Sequence, residues 1–416
     1  MKLERNECVI NIMEKTLDYV DPRLMDHGKR VAYLIFKLLE QDGGYNENEL
    51  RNICVLAMLH DVGAYKTEEI DRLVEFETRN VWEHSIYGYL FLKHFSPLKE
   101  LSPAILCHHA NCGELEMIEP FLRSLANIIF ICDRADVFSH GPDNNNRFRD
   151  FIEKKRGILF YSDVVDLFLS ADIDIDKINE GIKRDKNFTR VFYETPVTEE
   201  EVIKYIKMTI LSIEFRSSQT VLHTITTACI SRVLAELAGI EEHEIKKITT
   251  GAMLHDIGKT GIPLSILESP NRLTDDEMII MRTHVDITEK ILDGNVSDDI
   301  KKIAVRHHEK MNGTGYPRKL DDLNISTHDY IVAAADIFSA LCGSRSYKDP
   351  YPKEKIISVF KDLKEKNLLH PEVIDLAMKH FDIILEEINR ETQPVIEAYE
   401  KINEEYLDML EKIKAA

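Results

Sequence analysis

The sequence predicts an all-α protein made of two tandem helical bundles related by internal duplication. Three observations carry that expectation. Apolar residues recur at three- and four-residue steps along most of the chain, the period of a helix with one buried face. Runs that alternate apolar and polar residues, the mark of half-buried strands, are scarce. The polar landmarks of the first half return in the same order in the second.

The elements follow in order. "MKLERNECVINIMEK" opens the chain with charge and no apolar core, so no signal peptide is expected. "RVAYLIFKLLE" (30–40) is a helical stripe that stops at "QDGGYN" (41–46). "HGPDNNN" (140–146) is the loosest stretch of the first half. The boundary is placed at "YETPVTEEE" (193–201), where Pro196 precedes a capping box, Thr198 to Glu201. A second box, Thr274 to Glu277, opens another helix, and "NGTGYP" (312–317) breaks the pattern as a turn. "IISVFKDLKE" (356–365) and "VIDLAMKHFDIILEEI" (373–388) close the second bundle. Val395, Tyr399, Ile402, Tyr406, Met409 and Ile413 form a heptad seam, which packs back on its own chain or pairs a homodimer. The expected domains are 1–195, 196–390 and a C-terminal helix, 391–416.

Composition narrows the function. A chain of 416 residues with 44% hydrophobic content fills two or three cores. The formal net charge of -20 argues against tracking long nucleic acid, yet bound cations can invert the local field for a small anion. No apolar run approaches the ~20 residues of a membrane span. The seven cysteines are scattered without a CxxC, as in a cytoplasmic chain with reduced thiols.

The repeat concentrates on histidine and aspartate. His27 matches His223, His60-Asp61 matches His255-Asp256, and His84 matches His284. His108-His109 matches His307-His308, and Asp133 matches Asp336. Ten of the sixteen histidines sit at these positions, so the pattern is organised. Imidazole with carboxylate and no thiolate suits Fe, Mn or a catalytic Zn. Seven ligands per half are too many for one ion but suit two, with Asp256 placed to bridge. Two ions ~3.5–4 Å apart can clamp an in-line displacement at phosphorus.

This order resembles the HD superfamily of metal-dependent phosphohydrolases. "HDIGKTGIP" (255–263), "HHEKMNGTGYP" (307–317) and "DIFSALCGSRSYK" (336–348) resemble more closely its HD-GYP branch, phosphodiesterases that open bacterial cyclic dinucleotides. The resemblance covers roughly 215–385. It implies a helical fold with two Fe or Mn ions per site, held in the second half by His223, His255, Asp256, His284, His307, His308 and Asp336. It implies catalytic roles for Asp256 and Lys259, and substrate contacts from Gly313, Tyr316, Arg345 and Lys348. The product would be a linear, 5′-phosphorylated dinucleotide, from cyclic di-GMP or 3′3′-cyclic GMP-AMP. Four positions depart from the branch's pattern. Ser339 stands for an Asp read as a base contact, which would loosen preference for guanine. Asn312 stands for an Asp, Thr226 for an Arg, and Gln219 for the Glu that holds a third metal.

The first half resembles a plain HD domain with a full second metal set: His27, His60, Asp61, His84, His108, His109 and Asp133. It has Ala64 where the second half has Lys259, with Lys66 a partial substitute, and no GYP loop after His109. It would be a second phosphohydrolase removing the 5′ phosphate, a metal-bound scaffold, or a nucleotide sensor. For the whole chain the alternatives are a non-hydrolysing cyclic-dinucleotide receptor and an alarmone-type phosphohydrolase. The latter reads HDxxED, which "HDIGKT" does not.

Overall fold

The computed structural model describes residues 6–64, 82–114, 119–140, 144–214, 222–343 and 351–415. Among these the only regular elements are helices, with two isolated bridges and no strand. Local chemistry places the helix ends. Pro22–Asp42 starts on Asp21, whose side chain accepts from the Arg23 amide, and ends on Gly43 in the left-handed region (φ 72). Both expected capping boxes form, Thr198 with Glu201 and Thr274 with Glu277.

The chain divides into two compact units. One consists mainly of Leu17–Met208 with Lys401–Ala416, the other mainly of Thr209–Glu400 with Asn11–Thr16. The first unit buries Val31, Leu34, Ile53, Leu56, Ile129 and Phe160. The second buries Ile230, Leu234, Ile331, Phe338, Phe360 and Ile384. Each such side chain withdrawn from water contributes about 1.5–3 kcal/mol.

Two boundaries differ from the sequence reading. The division falls at Met208/Thr209, inside the helix Glu199–Glu214, not at 195/196. That helix begins on first-half partners: buried Arg51 bonds the Pro196 carbonyl at 3.0 Å and pairs with Glu201 at 2.9 Å. The C-terminal helix does not begin at 391 but runs unbroken over Phe381–Ala415. Its start belongs to the second core, through Ile384 and Ile388. Its end belongs to the first unit, where Tyr406 stacks on Tyr87 (3.9 Å) and Glu405 pairs with Lys93 (2.6 Å). Ile402 is buried as well, so this part of the seam is used within the chain.

In each unit five structural positions carry the landmarks. His27 lies on Pro22–Asp42, His60-Asp61 follow Glu47–Met58, and His84 lies on Trp82–Phe95. His108-His109 follow Pro103–Leu106, and Asp133 lies on Pro120–Phe138. In the second unit the corresponding helices are His223–Leu237, Glu242–Leu254, His284–Leu292, Asp298–Val305 and Thr327–Cys342. All seven cysteines are free, and no described helix is long and apolar enough to cross a membrane.

Candidate metal centre

In the second half the helix Glu242–Leu254 ends just before His255-Asp256, and a 3-10 turn, Ile257–Gly261, follows. The turn presses on the third histidine. A Cβ at Gly258 would lie 2.0 Å from the His284 carbonyl oxygen, so only glycine fits. Thr288 ties the two segments, accepting from the Gly258 amide (3.0 Å) and donating to the His255 carbonyl (3.2 Å).

The seven expected residues converge. Asp256 divides its carboxylate between two histidine groups. Its Oδ2 faces His223 Nε2 (3.5 Å) and His255 Nε2 (3.1 Å), and its Oδ1 faces His284 Nε2 (3.4 Å) and His307 Nε2 (3.9 Å). Asp336 adds one oxygen at 3.1 Å from His223 and the other at 3.8 Å from His308. The donor atoms of His223, His255 and Asp256 all lie within 4.8 Å of one another, and so do those of His284, His307 and His308.

The residues fit bound cations. His255, His284 and His307 donate their Nδ1 protons to carbonyls three residues back, at Ala252, Met281 and Ala304. That tautomer leaves each Nε2 as an acceptor. His284 and His307 then point two lone pairs at each other across 3.4 Å, an arrangement that repels unless a cation lies between. The buried atoms His255 Nε2 and Asp256 Oδ1 have no hydrogen-bond partner. Burial pushes His308 down to about 4, and burial with neighbouring imidazoles holds His307 well below the usual range. Both are therefore neutral, the form that ligates. His223 differs: burial opposes its charge, but hydrogen bonds to Asp256 and Asp336 raise it to about 9. Burial also works against ionisation of Asp256, yet His255 and Lys259 hold it well below the usual carboxylate range.

Lys259 lies on the 3-10 turn and pairs with Asp256 Oδ2. Tyr316 lies over His308, with ring centroids 4.6 Å apart, and the Arg282 guanidinium sits 5.0 Å from the Tyr316 ring. The loop that presents Tyr316 is fixed from behind. Buried Glu309 accepts from the amides of Arg318 (2.7 Å) and Leu320 (2.9 Å). A Cβ at Gly315 would lie 2.5 Å from the Lys310 nitrogen, and Gly313 has φ 73. Arg345 and Lys348 lie outside the described residues, as do Lys66 and Gln219. Ser339 does not face ligand space. It is 2% exposed, and its hydroxyl accepts from His223 Nδ1 (3.0 Å) and donates to the His223 carbonyl (3.1 Å). The loosened guanine preference expected from Ser339 therefore loses its physical basis.

The first half repeats the geometry. Asp61 Oδ2 faces His60 (3.4 Å) and His27 (4.0 Å), while Oδ1 faces His108 (3.5 Å) and His84 (3.7 Å). Asp133 lies 3.3 Å from His27 and 3.8 Å from His109. Buried His60 Nε2, Asp61 Oδ1, His108 Nε2 and His109 Nε2 lack hydrogen-bond partners, so this set also fits cations. Gly63 meets the His84 carbonyl as Gly258 meets that of His284, again with a Cβ position 2.0 Å away.

Sequence reasoning missed what surrounds this set. His27 Nδ1 donates to Asp136 Oδ2 (2.7 Å), and Arg30 grips both Asp136 oxygens (2.5 and 3.0 Å). A cavity of about 400 Å³ is lined by His27, Asp61, His109 and Asp133 together with Arg23, Arg30 and Arg134. The signal was present: the alignment that pairs His27 with His223 and Asp133 with Asp336 also pairs Arg30 with Thr226 and Asp136 with Ser339.

Residues 24–139 and residues 207–370 each match a family described as HD domain. The 3′3′-cGAMP-specific phosphodiesterase 1 of Vibrio cholerae is 25% identical over 391 residues, covering 88% of this chain and 89% of that protein. The V. cholerae 3′3′-cGAMP-specific phosphodiesterase 2 is 37% identical over 41% of this chain and 33% of its own length. A cyclic di-GMP phosphodiesterase of Thermotoga maritima is 39% identical over 43% of this chain and 48% of its own length. The solved structure of a V. cholerae cyclic GMP-AMP-specific phosphodiesterase aligns at a TM-score of 0.55 and 17% identity, over 91% of this chain and 98% of that one.

Proposed function

Because the chain belongs to the HD-domain family through both of its halves, we propose that its second half opens a cyclic dinucleotide to a linear 5′-phosphorylated dinucleotide. The observation that supports this best is the divided Asp256 carboxylate with imidazoles facing each of its oxygens. Two divalent ions bound there, Fe or Mn, would polarise a phosphoryl oxygen and activate a water. His223, His255, Asp256 and Asp336 would hold one, and His284, His307 and His308 the other, with Asp256 facing both groups. Lys259 carries its positive charge at Asp256, where it offsets charge that builds on a non-bridging oxygen as the 3′ oxygen leaves. Tyr316, with its ring packed against His308 and Arg282, has its hydroxyl to offer a base as a hydrogen-bonding group. Gly313 belongs to the turn that sets its position, and Arg345 and Lys348 complete the substrate contacts. In this reading the chain works in the cytoplasm, where its thiols stay reduced.

The relative that matches nearly the whole chain is named for 3′3′-cGAMP, so that ring is expected to be cleaved at least as well as cyclic di-GMP. The test is anaerobically purified protein reconstituted with Fe or Mn, given each ring, with products identified by mass. Failure to open either ring under both metals would refute the reading. Lys259→Ala is expected to lower kcat about 100-fold, in the range seen when one transition-state donor is lost. Its metal content should remain at the parental level. Parental turnover in this variant would remove Lys259 from the mechanism.

The first half is proposed to remove the 5′ phosphate from the released product. Arg23, Arg30 and Arg134 line its cavity, and the sequence repeat pairs them with Gln219, Thr226 and Ile337. The forks of Arg30 and Arg134 are held by Asp136 and Asp133, so what these residues bring to a phosphate is positive charge at the cavity wall. A terminal monoester carries close to two negative charges near neutral pH, against one on a ring diester.

A further inference from the structure

We propose that the two halves hold the metal ion at their first histidine with unequal strength, tighter at His27 than at His223. The residue behind each ring sets the difference: the carboxylate of Asp136 in the first half, the hydroxyl of Ser339 in the second. The inference rests on the metal-centre reading above and concerns two residues that are not ligands.

A ligating imidazole whose far nitrogen donates to a carboxylate is a stronger donor than one paired with a neutral oxygen. At two of the other matched pairs the far nitrogen has the same kind of partner in both halves. His60 and His108 donate to the Ala57 and Ile105 carbonyls, as His255 and His307 donate to those of Ala252 and Ala304. The first histidine breaks this symmetry. Asp136 is aligned on His27 by the Arg30 fork and stays fully charged behind it. In the second half both members of that ion pair are exchanged together, for Ser339 and Thr226, which are buried. The paired exchange leaves no unpartnered charge behind, so the neutral arrangement is packed and stable. Ser339 spends its own proton on the His223 carbonyl and can only accept from the ring. As metal is withdrawn, ring opening is therefore lost before the chemistry of the first half.

The test is an equilibrium Mn²⁺ titration of full-length apoprotein, with free Mn²⁺ read by electron paramagnetic resonance. His60→Ala with Asp61→Ala leaves the second half to be read alone, and His255→Ala with Asp256→Ala leaves the first. In the former background, Thr226→Arg with Ser339→Asp should tighten the weakest Mn²⁺ about tenfold, and Ser339→Ala should weaken it. In the latter, Arg30→Thr with Asp136→Ser should weaken binding about tenfold. Asp136→Asn, which keeps the shape but not the charge, should weaken it similarly. Affinities that stay within about twofold of their parents, with unchanged circular dichroism, overturn the proposal. Should the Arg/Asp pair prevent folding, Ser339→Ala and Asp136→Asn decide the matter, since neither adds bulk. Absence of Mn²⁺ binding in the parent protein is a different result: it removes the metal-centre reading and this inference with it.

Discussion

Alanine at Asp256 is expected to abolish ring opening, and alanine at His255 to reduce it nearly as far. Partners that stand behind a metal ligand are worth about 10–100-fold in affinity or activity, so loss of a ligand itself should exceed about 100-fold. Asp256 should be the more damaging of the two. Its oxygens face both histidine groups, whereas His255 serves one. Metal content distinguishes them. Asp256→Ala should empty the second half, and His255→Ala should retain the ion near His284, His307 and His308. The same ranking applies to Asp256→Asn, which keeps the volume but cannot supply two anionic oxygens. Elemental analysis beside single-turnover assays checks both points. Full turnover in either alanine variant would exclude the two-ion site.

Inactivating the first half should separate two reactions. His60→Ala with Asp61→Ala removes the histidine-facing carboxylate of that set and leaves every second-half residue in place. Ring opening should continue at the parental rate, while the 5′-phosphorylated linear dinucleotide accumulates and inorganic phosphate is no longer released. In the parent protein the product leaves one site tethered to another, so its local concentration favours the second step. The decisive control is the parent itself, given a 5′-phosphorylated linear dinucleotide with Fe or Mn. If it releases no phosphate, the first half is no phosphatase for this product.

The ligands were legible because histidine is a scarce residue and ten of sixteen recur in one order. The all-α fold was legible because helical periods run almost throughout the chain. What a side chain faces was less legible, because that depends on how helices pack. Ser339 occupies a position where a base contact was expected, yet the turn of Thr327–Cys342 points it at His223. Glu309 follows two ligands in sequence and reads as a third polar neighbour, but its carboxylate is spent on two loop amides. The arginine-lined cavity was readable only by applying the repeat to residues beyond histidine and aspartate. The boundary at 195/196 was drawn on Pro196 and a capping box, local signals that do not record Arg51 reaching across to Glu201.

The path of the last helix bears on modularity. A polypeptide ending at Met208 contains every histidine of the first set but not a whole first half, because Tyr406 and Glu405 cover Tyr87 and Lys93 on the helix that carries His84. Removing Lys401–Ala416 is thus an injury to the amino-terminal half, although the cut lies about two hundred residues beyond Met208 in sequence. The two halves are not separable parts. Neither can be excised, shuffled into another protein or inherited alone without taking a fragment that belongs to its twin.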